Sequence, residues 1–152
     1  PLLRDLLEPM AEIIKVDVVP DNMAAIARAL ISMSRELGAD LILTSGGTGF
    51  SPRDVTPEAT MMVSTKMAPG FAEEMRRVST SITPHGMLSR AVSVIYEKTL
   101  IVNMPGSPKA VRECFDAISP ALPHAVETIR GESGSEPEDH KHRFDKGIAP
   151  DH

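Results

Sequence analysis

The sequence lacks the features of several common protein classes. It has one cysteine among 152 residues, so no internal disulfide can form, and a reducing cytoplasm is the expected setting. No apolar run approaches the roughly 20 residues that a membrane-spanning helix needs. No cluster of Lys and Arg stands out, and the formal net charge is -5. Neither a membrane nor a nucleic acid is therefore expected as a main partner.

What is present is the composition of one globular domain with a polar extension. Hydrophobic residues make up 41% of the chain and charged residues 24%, as in ordinary soluble domains. Residues 1–130 carry the periodic patterns of helices and strands. Residues 131–152 have little apolar content and no periodicity, which predicts a flexible C-terminal tail outside the domain.

Hydrophobic periodicity predicts an α/β domain. Strands are expected over 13–19 and 40–44, and a hairpin over 91–96 and 99–104. Helices are expected over 1–10, after Pro20, from Thr56, over 71–82, after Pro108 and over 119–130. The strand, helix and strand before residue 45 form a predicted βαβ unit with parallel strands. Asp21 and Thr56 are predicted to cap the two helices that begin beside them.

The cysteine lies on an apolar helical stripe. Val111, Cys114, Phe115 and Ile118 share one face of a predicted helix. This pattern indicates core packing and makes a nucleophilic thiol the less favoured interpretation.

Residues 41–60, LILTSGGTGFSPRDVTPEAT, place a glycine-rich loop directly after a predicted strand. The loop lacks the Gly-Lys-Ser/Thr ending of a Walker A loop and the Gly-x-Gly-x-x-Gly spacing of a dinucleotide fingerprint. Glycines still let backbone N–H groups approach an anion, and α/β sheets bind ligands at this edge. Gly47, between two small neighbours, is expected to approach the ligand most closely. A tight turn that needs glycine only for its backbone angles is an equally weighted alternative.

Two carboxylates follow predicted strands near this loop. Asp21 and Asp54 are both expected at the same edge of the sheet, and Mg²⁺ commonly uses one or two carboxylates together with substrate phosphates. Taken one at a time, each has a simpler interpretation: Asp21 as a helix cap and Asp54 as a hydrogen-bonding group within the loop.

Three segments carry a resemblance to a known family. DLILTSGGTGFSPRDVTPEAT, GMLSRAV and LIVNMPGSPKAV occur in this order, and together they resemble the molybdopterin adenylyltransferase family, which includes bacterial enzymes and the G domain of gephyrin. The similarity covers the chain from Pro1 to about Arg130. The long GGTGFSPRDVTPEA match is far more specific than an isolated glycine motif.

The resemblance implies a fold and an activity. The fold would be a three-layer α/β/α sandwich with a mostly parallel sheet, to which a hairpin adds an antiparallel strand, and the protein would be a homotrimer. The activity would be Mg²⁺-dependent transfer of AMP from ATP to the terminal phosphate of molybdopterin, which releases pyrophosphate. The product would pass to a molybdenum insertase. The alternatives are a non-catalytic molybdopterin-binding or trimer-forming scaffold module and a weakly active paralogue.

The resemblance also assigns site residues. Asp21 and Asp54 match the family's essential, metal-binding aspartates. The matched substrate-binding positions are Gly46, Gly47, Thr48, Gly49, Arg53, Ser89, Arg90, Pro105, Gly106 and Ser107. Family members begin with a further strand and a Ser-Asp loop, and this chain starts near the end of that loop. We therefore expect that strand to be absent from residues 1–152, either because residues precede Pro1 in the molecule or because the protein is truncated.

Overall fold

A computed structural model describes residues 2–131 of the protein. Its helices are α1 (Leu2–Leu7), α2 (Met23–Arg35), α3 (Thr56–Val63), α4 (Gly70–Ile82), α5 (Pro108–Ile118) and α6 (Leu122–Arg130). Its strands are β1 (Leu41–Ser45), β2 (Lys66–Met67), β3 (Ser93–Tyr96) and β4 (Thr99–Met104), and short 3-10 turns cover Pro84–Leu88 and Ser119–Ala121.

The strands form a sheet in the order β1-β4-β3-β2. β1 and β4 are parallel, with Leu41 opposite Leu100 and Ser45 opposite Met104. The predicted hairpin is confirmed as β3 and β4, and β2 adds a second antiparallel pairing at the edge. Because β1 and β4 run in the same direction, both deliver the chain to the same edge of the sheet.

The sheet lies between two helical layers, so the α/β class and the three-layer arrangement are confirmed. Side chains alternate along β4: Leu100, Val102 and Met104 pack on one layer and Ile101 on the other. α2 and α3 cover the face of Ile101, while the other four helices cover the opposite face. Each of these fully buried side chains contributes about 1.5–3 kcal/mol by leaving water.

The prediction of a strand over residues 13–19 is wrong, and with it the predicted βαβ unit. This segment makes no strand pairing in the described chain, and Ile14, Val16 and Val18 are exposed. β-branched residues favour a strand only where a neighbouring strand and a packed face receive them. The parallel part of the sheet is therefore smaller than the sequence predicts.

Both predicted helix caps are also wrong by one residue. Asn22, not Asp21, caps α2, because its side-chain oxygen accepts from the N–H of Ala25 at 2.9 Å. Thr56 is the first residue of α3, and the cap position is Val55, which makes no side-chain capping bond. Asp21 is thus released from a capping role.

Two further predictions concern other regions. Cys114 is buried as expected, in the core between α4 and α5. Within residues 2–131, no helix combines the length and the apolarity needed to cross a bilayer. The predicted tail after Gly131 lies outside the described residues.

Candidate functional site

Two loops meet where β1 and β4 end. We call residues 46–55 the Gly-rich loop and residues 105–107 the β4 loop. The hydroxyl of Ser45 donates to the carbonyl of Pro105 at 3.2 Å, and the N–H of Gly46 donates to the carbonyl of Met104 at 3.1 Å. A Cβ on Gly106 would lie 3.4 Å from the Cα of Gly46. The glycines therefore allow the two loops to pack backbone against backbone.

The Gly-rich loop needs its first two glycines for conformational reasons. Gly46 and Gly47 have φ values of 86° and 70°, which side chains disfavour. A Cβ on Gly47 would lie 2.3 Å from the Oγ1 of Thr56, whereas a Cβ on Gly46 would meet no protein atom within 4 Å. A side chain at Gly47 would therefore point at α3, so packing against Thr56 is one reason for this glycine; that Gly47 approaches a ligand most closely stays a prediction. Gly46 is the position that opens onto free space.

The loop presents backbone donors that the protein does not use. Among the described residues, the N–H groups of Gly47, Thr48 and Gly49 donate to no protein acceptor. α5 begins directly after the β4 loop, with Ser107 as its cap. The partial positive charge of that helix end and the unused N–H groups favour an anion at the junction of the two loops.

Arg90 reaches the Gly-rich loop from the segment before β3. Its backbone N–H donates to the carbonyl of Thr48 at 2.8 Å. Its guanidinium donates to the carbonyls of Gly49 and Asp54, both at 2.7 Å, and forms an ion pair with Glu58 at 2.5 Å. The residue therefore contacts both ends of the segment from Thr48 to Asp54.

Each of the two predicted aspartates makes a contact with the Gly-rich loop. Asp54 closes the loop on itself, because its Oδ2 accepts from the N–H of Ser51 at 3.0 Å. Asp21 approaches the neighbouring Arg53, with 3.7 Å between Oδ2 and Nη2. Both side chains of that pair are more than half exposed. No group of three or more acidic, His or Cys side chains in residues 2–131 is arranged to hold a metal ion.

Ser107 and Ser89, two further predicted substrate-binding residues, form hydrogen bonds within the protein. Ser107 accepts from the N–H of Ala110 at 3.3 Å and so starts α5. The carbonyl of Ser89 accepts from Arg76 at 2.9 Å, and its hydroxyl accepts from the N–H of Ala91 at 3.3 Å. Ser89 therefore lies beside Arg90 but is engaged with its own segment.

Asn103 and Glu58 are site residues that sequence reasoning missed. Asn103 is fully buried in β4, and its amide donates to the hydroxyls of Thr44 and Thr60 at 3.1 and 3.0 Å. These hydrogen bonds connect β4 to the end of β1 and to α3, the two elements that the Gly-rich loop joins. An Asn within the apolar run LIVNM is unusual for a strand, and this was the available signal. Glu58 is an acidic residue in the first turn of α3, a common position that gave no signal of a role at the site.

The ion pair between Arg90 and Glu58 shifts the pKa of both groups. The hydrogen bonds from Arg90 hold the pKa of Glu58 below its ordinary value, while Glu58 raises the pKa of Arg90. Both groups are therefore charged at neutral pH, so the pair leaves little net charge beside the loop.

Comparisons with known proteins agree with this architecture. Residues 1–124 match the family model described as a probable molybdopterin binding domain. A molybdopterin adenylyltransferase of Helicobacter pylori is 47% identical over 115 residues, covering 76% of this chain and 65% of the relative. Gephyrin of Dictyostelium discoideum is 45% identical over 125 residues, covering 82% of this chain and 17% of gephyrin. The chain thus spans less than two thirds of the length of these relatives.

A solved structure gives the same result for the fold. The molybdopterin biosynthesis enzyme MoaB of Thermus thermophilus superposes with a TM-score of 0.79 at 43% identity. The match covers 86% of this chain and 82% of that one.

Proposed function

Since the chain belongs to the probable molybdopterin-binding domain family, we propose that it acts in molybdenum cofactor biosynthesis. Its reaction would be transfer of AMP from ATP to the terminal phosphate of molybdopterin. The Helicobacter pylori relative bears the name molybdopterin adenylyltransferase, which supports this activity. The resemblance of the Gly-rich loop segment to that family supports it as well.

One observation of the site carries the proposal. The Gly-rich loop has unused N–H groups at Gly47, Thr48 and Gly49, and its first residue, Gly46, lies against Gly106, directly before the cap of α5. Phosphates are the anions for which such a junction is suited, because backbone donors and a helix N-terminus both favour negative charge. ATP and molybdopterin both present phosphates.

The proposed chemistry needs positioning more than a protein nucleophile. An oxygen of the terminal molybdopterin phosphate attacks the α-phosphorus of ATP. The new P–O bond forms while the bond from the α-phosphorus to its bridging oxygen breaks, and pyrophosphate leaves. The chain's part is to hold the two phosphate groups in line and to place N–H donors where negative charge gathers.

The donor set fits Mg²⁺ as a bound ion. Asp21 and Asp54 supply hard carboxylate oxygens at the rim of the Gly-rich loop, and Mg²⁺ commonly combines one or two carboxylates with substrate phosphate oxygens. When bound, the ion would supply charge neutralisation at the phosphates.

Replacement of Asp54 by Asn tests the catalytic assignment. Asn keeps the size of the side chain and an oxygen that accepts from Ser51, but removes the charge. We expect pyrophosphate release from ATP, Mg²⁺ and molybdopterin to fall by roughly 100-fold or more, with molybdopterin affinity largely kept. Asp116→Asn, at an exposed position late in α5, is the matched control and should retain the parent rate. A parent rate in Asp54→Asn would remove that residue from the mechanism.

Replacement of Gly46 by Ala tests the loop as a phosphate cradle. A Cβ at Gly46 meets no protein atom, and Gly38 has the same property with a similar φ of 68°. The two Ala variants should therefore lose similar stability, while only Gly46→Ala weakens molybdopterin binding. Equal affinity in both variants would show that the loop holds no substrate.

The same assays separate the alternative functions. Molybdopterin binding without pyrophosphate release in the parent protein would indicate a non-catalytic module or a weakly active paralogue. From the resemblance we also propose a cytoplasmic homotrimer that passes its product to a molybdenum insertase. Sedimentation equilibrium at micromolar concentration measures the trimer directly, and a monomer at that concentration would contradict it.

A further inference from the structure

We infer that Glu58 and Arg90 form a clamp that sets the shape of the Gly-rich loop, and that Arg90 is a positioning residue which acts through the loop. Its effect on AMP transfer rests on the proposed function. Its effect on the order of the loop does not, and can be measured in the unliganded protein.

The contacts of Arg90 leave little of its side chain for a substrate. Nε donates to the carbonyl of Gly49, and Nη2 donates to the carbonyl of Asp54 and to Oε1 of Glu58, the last at 3.2 Å. Nη1 donates to Oε2 of Glu58. All three guanidinium nitrogens are thus engaged, and two of them tie together the Gly49 and Asp54 ends of the loop.

Glu58 is the part of the clamp that fixes its orientation. It lies in the first turn of α3, a helix whose start is itself anchored by the N–H of Thr56 on the carbonyl of Gly47. A two-point contact with a carboxylate holds the plane of a guanidinium, and a lysine cannot reproduce it. The carboxylate therefore aims the other donors of Arg90 at the two loop carbonyls.

Backbone hydrogen bonds beside the clamp determine how two of the unused N–H groups are directed. In a trans peptide, the carbonyl and the following N–H point in opposite directions. The carbonyl of Thr48 is held by the backbone N–H of Arg90, so the N–H of Gly49 points away from Arg90. The carbonyl of Gly47 is held by Thr56, so the N–H of Thr48 likewise points away from α3. The clamp holds the next part of the same loop, through the carbonyls of Gly49 and Asp54, and so keeps the segment that carries these donors in place.

Within residues 48–54 the amides of Ser51 and Asp54 are hydrogen-bonded inside the loop, and their hydrogen exchange measures the clamp without any ligand. In Glu58→Gln the ion pair is lost, and we expect exchange in this segment to rise by roughly 2-fold to 5-fold, as the loss of a partly exposed pair allows. Arg90→Lys keeps the charge but loses the planar fork, so exchange should rise at least as much. The matched control is Glu97→Gln, which breaks another two-point Arg–Glu pair, with Arg35 in α2. It should leave exchange in 48–54 unchanged.

A double variant tests whether Glu58 acts through Arg90. If it does, Glu58→Gln adds no further exchange in an Arg90→Lys background. Additive effects would overturn the inference, as would a Glu58→Gln effect no larger than that of Glu97→Gln.

The pH dependence of exchange adds a second, independent readout. Arg90 lowers the pKa of Glu58, so the clamp is fully formed above the ordinary carboxyl pKa of about 4.3. It is lost as pH falls through the lower pKa of the folded state. Exchange in 48–54, corrected for its intrinsic pH dependence, should rise more in that acid range in the parent than in Glu58→Gln, because the other carboxylate of the loop, Asp54, is the same in both proteins. The same profile in both proteins would contradict the clamp.

Kinetics distinguish the clamp from direct substrate binding by Arg90. The clamp predicts that Glu58→Gln and Arg90→Lys impair pyrophosphate release in the same way. A direct ligand predicts a raised KM in Arg90→Lys alone, with unchanged exchange in the unliganded loop, and this result would overturn the inference. If the parent protein releases no pyrophosphate, the proposed function fails, and the exchange data still decide on the clamp.

Discussion

Gly47→Ala should be among the most destabilising single changes in the Gly-rich loop, for two separable reasons. The residue has a φ of 70°, and a new Cβ would lie 2.3 Å from Oγ1 and 3.2 Å from Cβ of Thr56. The left-handed backbone costs about 1–2 kcal/mol for a residue with a side chain, less the roughly 0.4–1 kcal/mol gained by restricting the unfolded chain. The steric contact adds about 1–3 kcal/mol, as overpacking does in other cores.

Gly38→Ala separates the cost of backbone strain from the cost of the steric contact. Gly38 has a φ of 68°, and a Cβ added there would meet no heavy atom within 4 Å, so its Ala variant carries the backbone strain alone. Urea unfolding of both variants should give a loss of about 1 kcal/mol for Gly38→Ala and about 2–4 kcal/mol for Gly47→Ala. The difference between them is the contact with Thr56.

A second substitution identifies the clashing atom. In Gly47→Ala/Thr56→Ala the Oγ1 contact is gone and only the 3.2 Å contact with Cβ remains. We expect the double variant to lose less stability than the sum of the two single variants. Equal losses in Gly47→Ala and Gly38→Ala, or strict additivity with Thr56→Ala, would refute the reasoning.

Two other predictions concern the core. Asn103→Leu should cost about 2–4 kcal/mol in urea unfolding, because it leaves the buried hydroxyl of Thr60 and the partly buried N–H of Val92 without their partner; a loss below about 1 kcal/mol would show that the network is dispensable. Cys114 should react with a maleimide at pH 8 only after unfolding, because burial raises the pKa of its thiol. Its contribution to stability is full below the ordinary thiol pKa of about 8.5 and declines as pH rises above it. Rapid labelling of the native protein would contradict the buried position.

Much of the fold and of the site follows from local sequence. The hairpin of β3 and β4, the buried stripe around Cys114 and the turn at Gly46 and Gly47 each depend on neighbouring residues: alternating apolar residues, helical periodicity, and glycine where φ is positive. The loop's position after β1 follows from the same patterns. Family membership follows from the long loop segment, which few unrelated sequences could share.

Only the tertiary structure shows which segments pair as strands and which side chains come into contact. Residues 13–19 have the composition of a strand, but pairing requires a neighbour, and in the described chain they have none. The sequence does not show what a side chain at Gly47 would contact, whereas the structure shows that it would meet Thr56 of α3. Arg90 and Glu58 are 32 residues apart. No periodicity links them, because a contact between side chains on separate elements depends on how the sheet and helices pack.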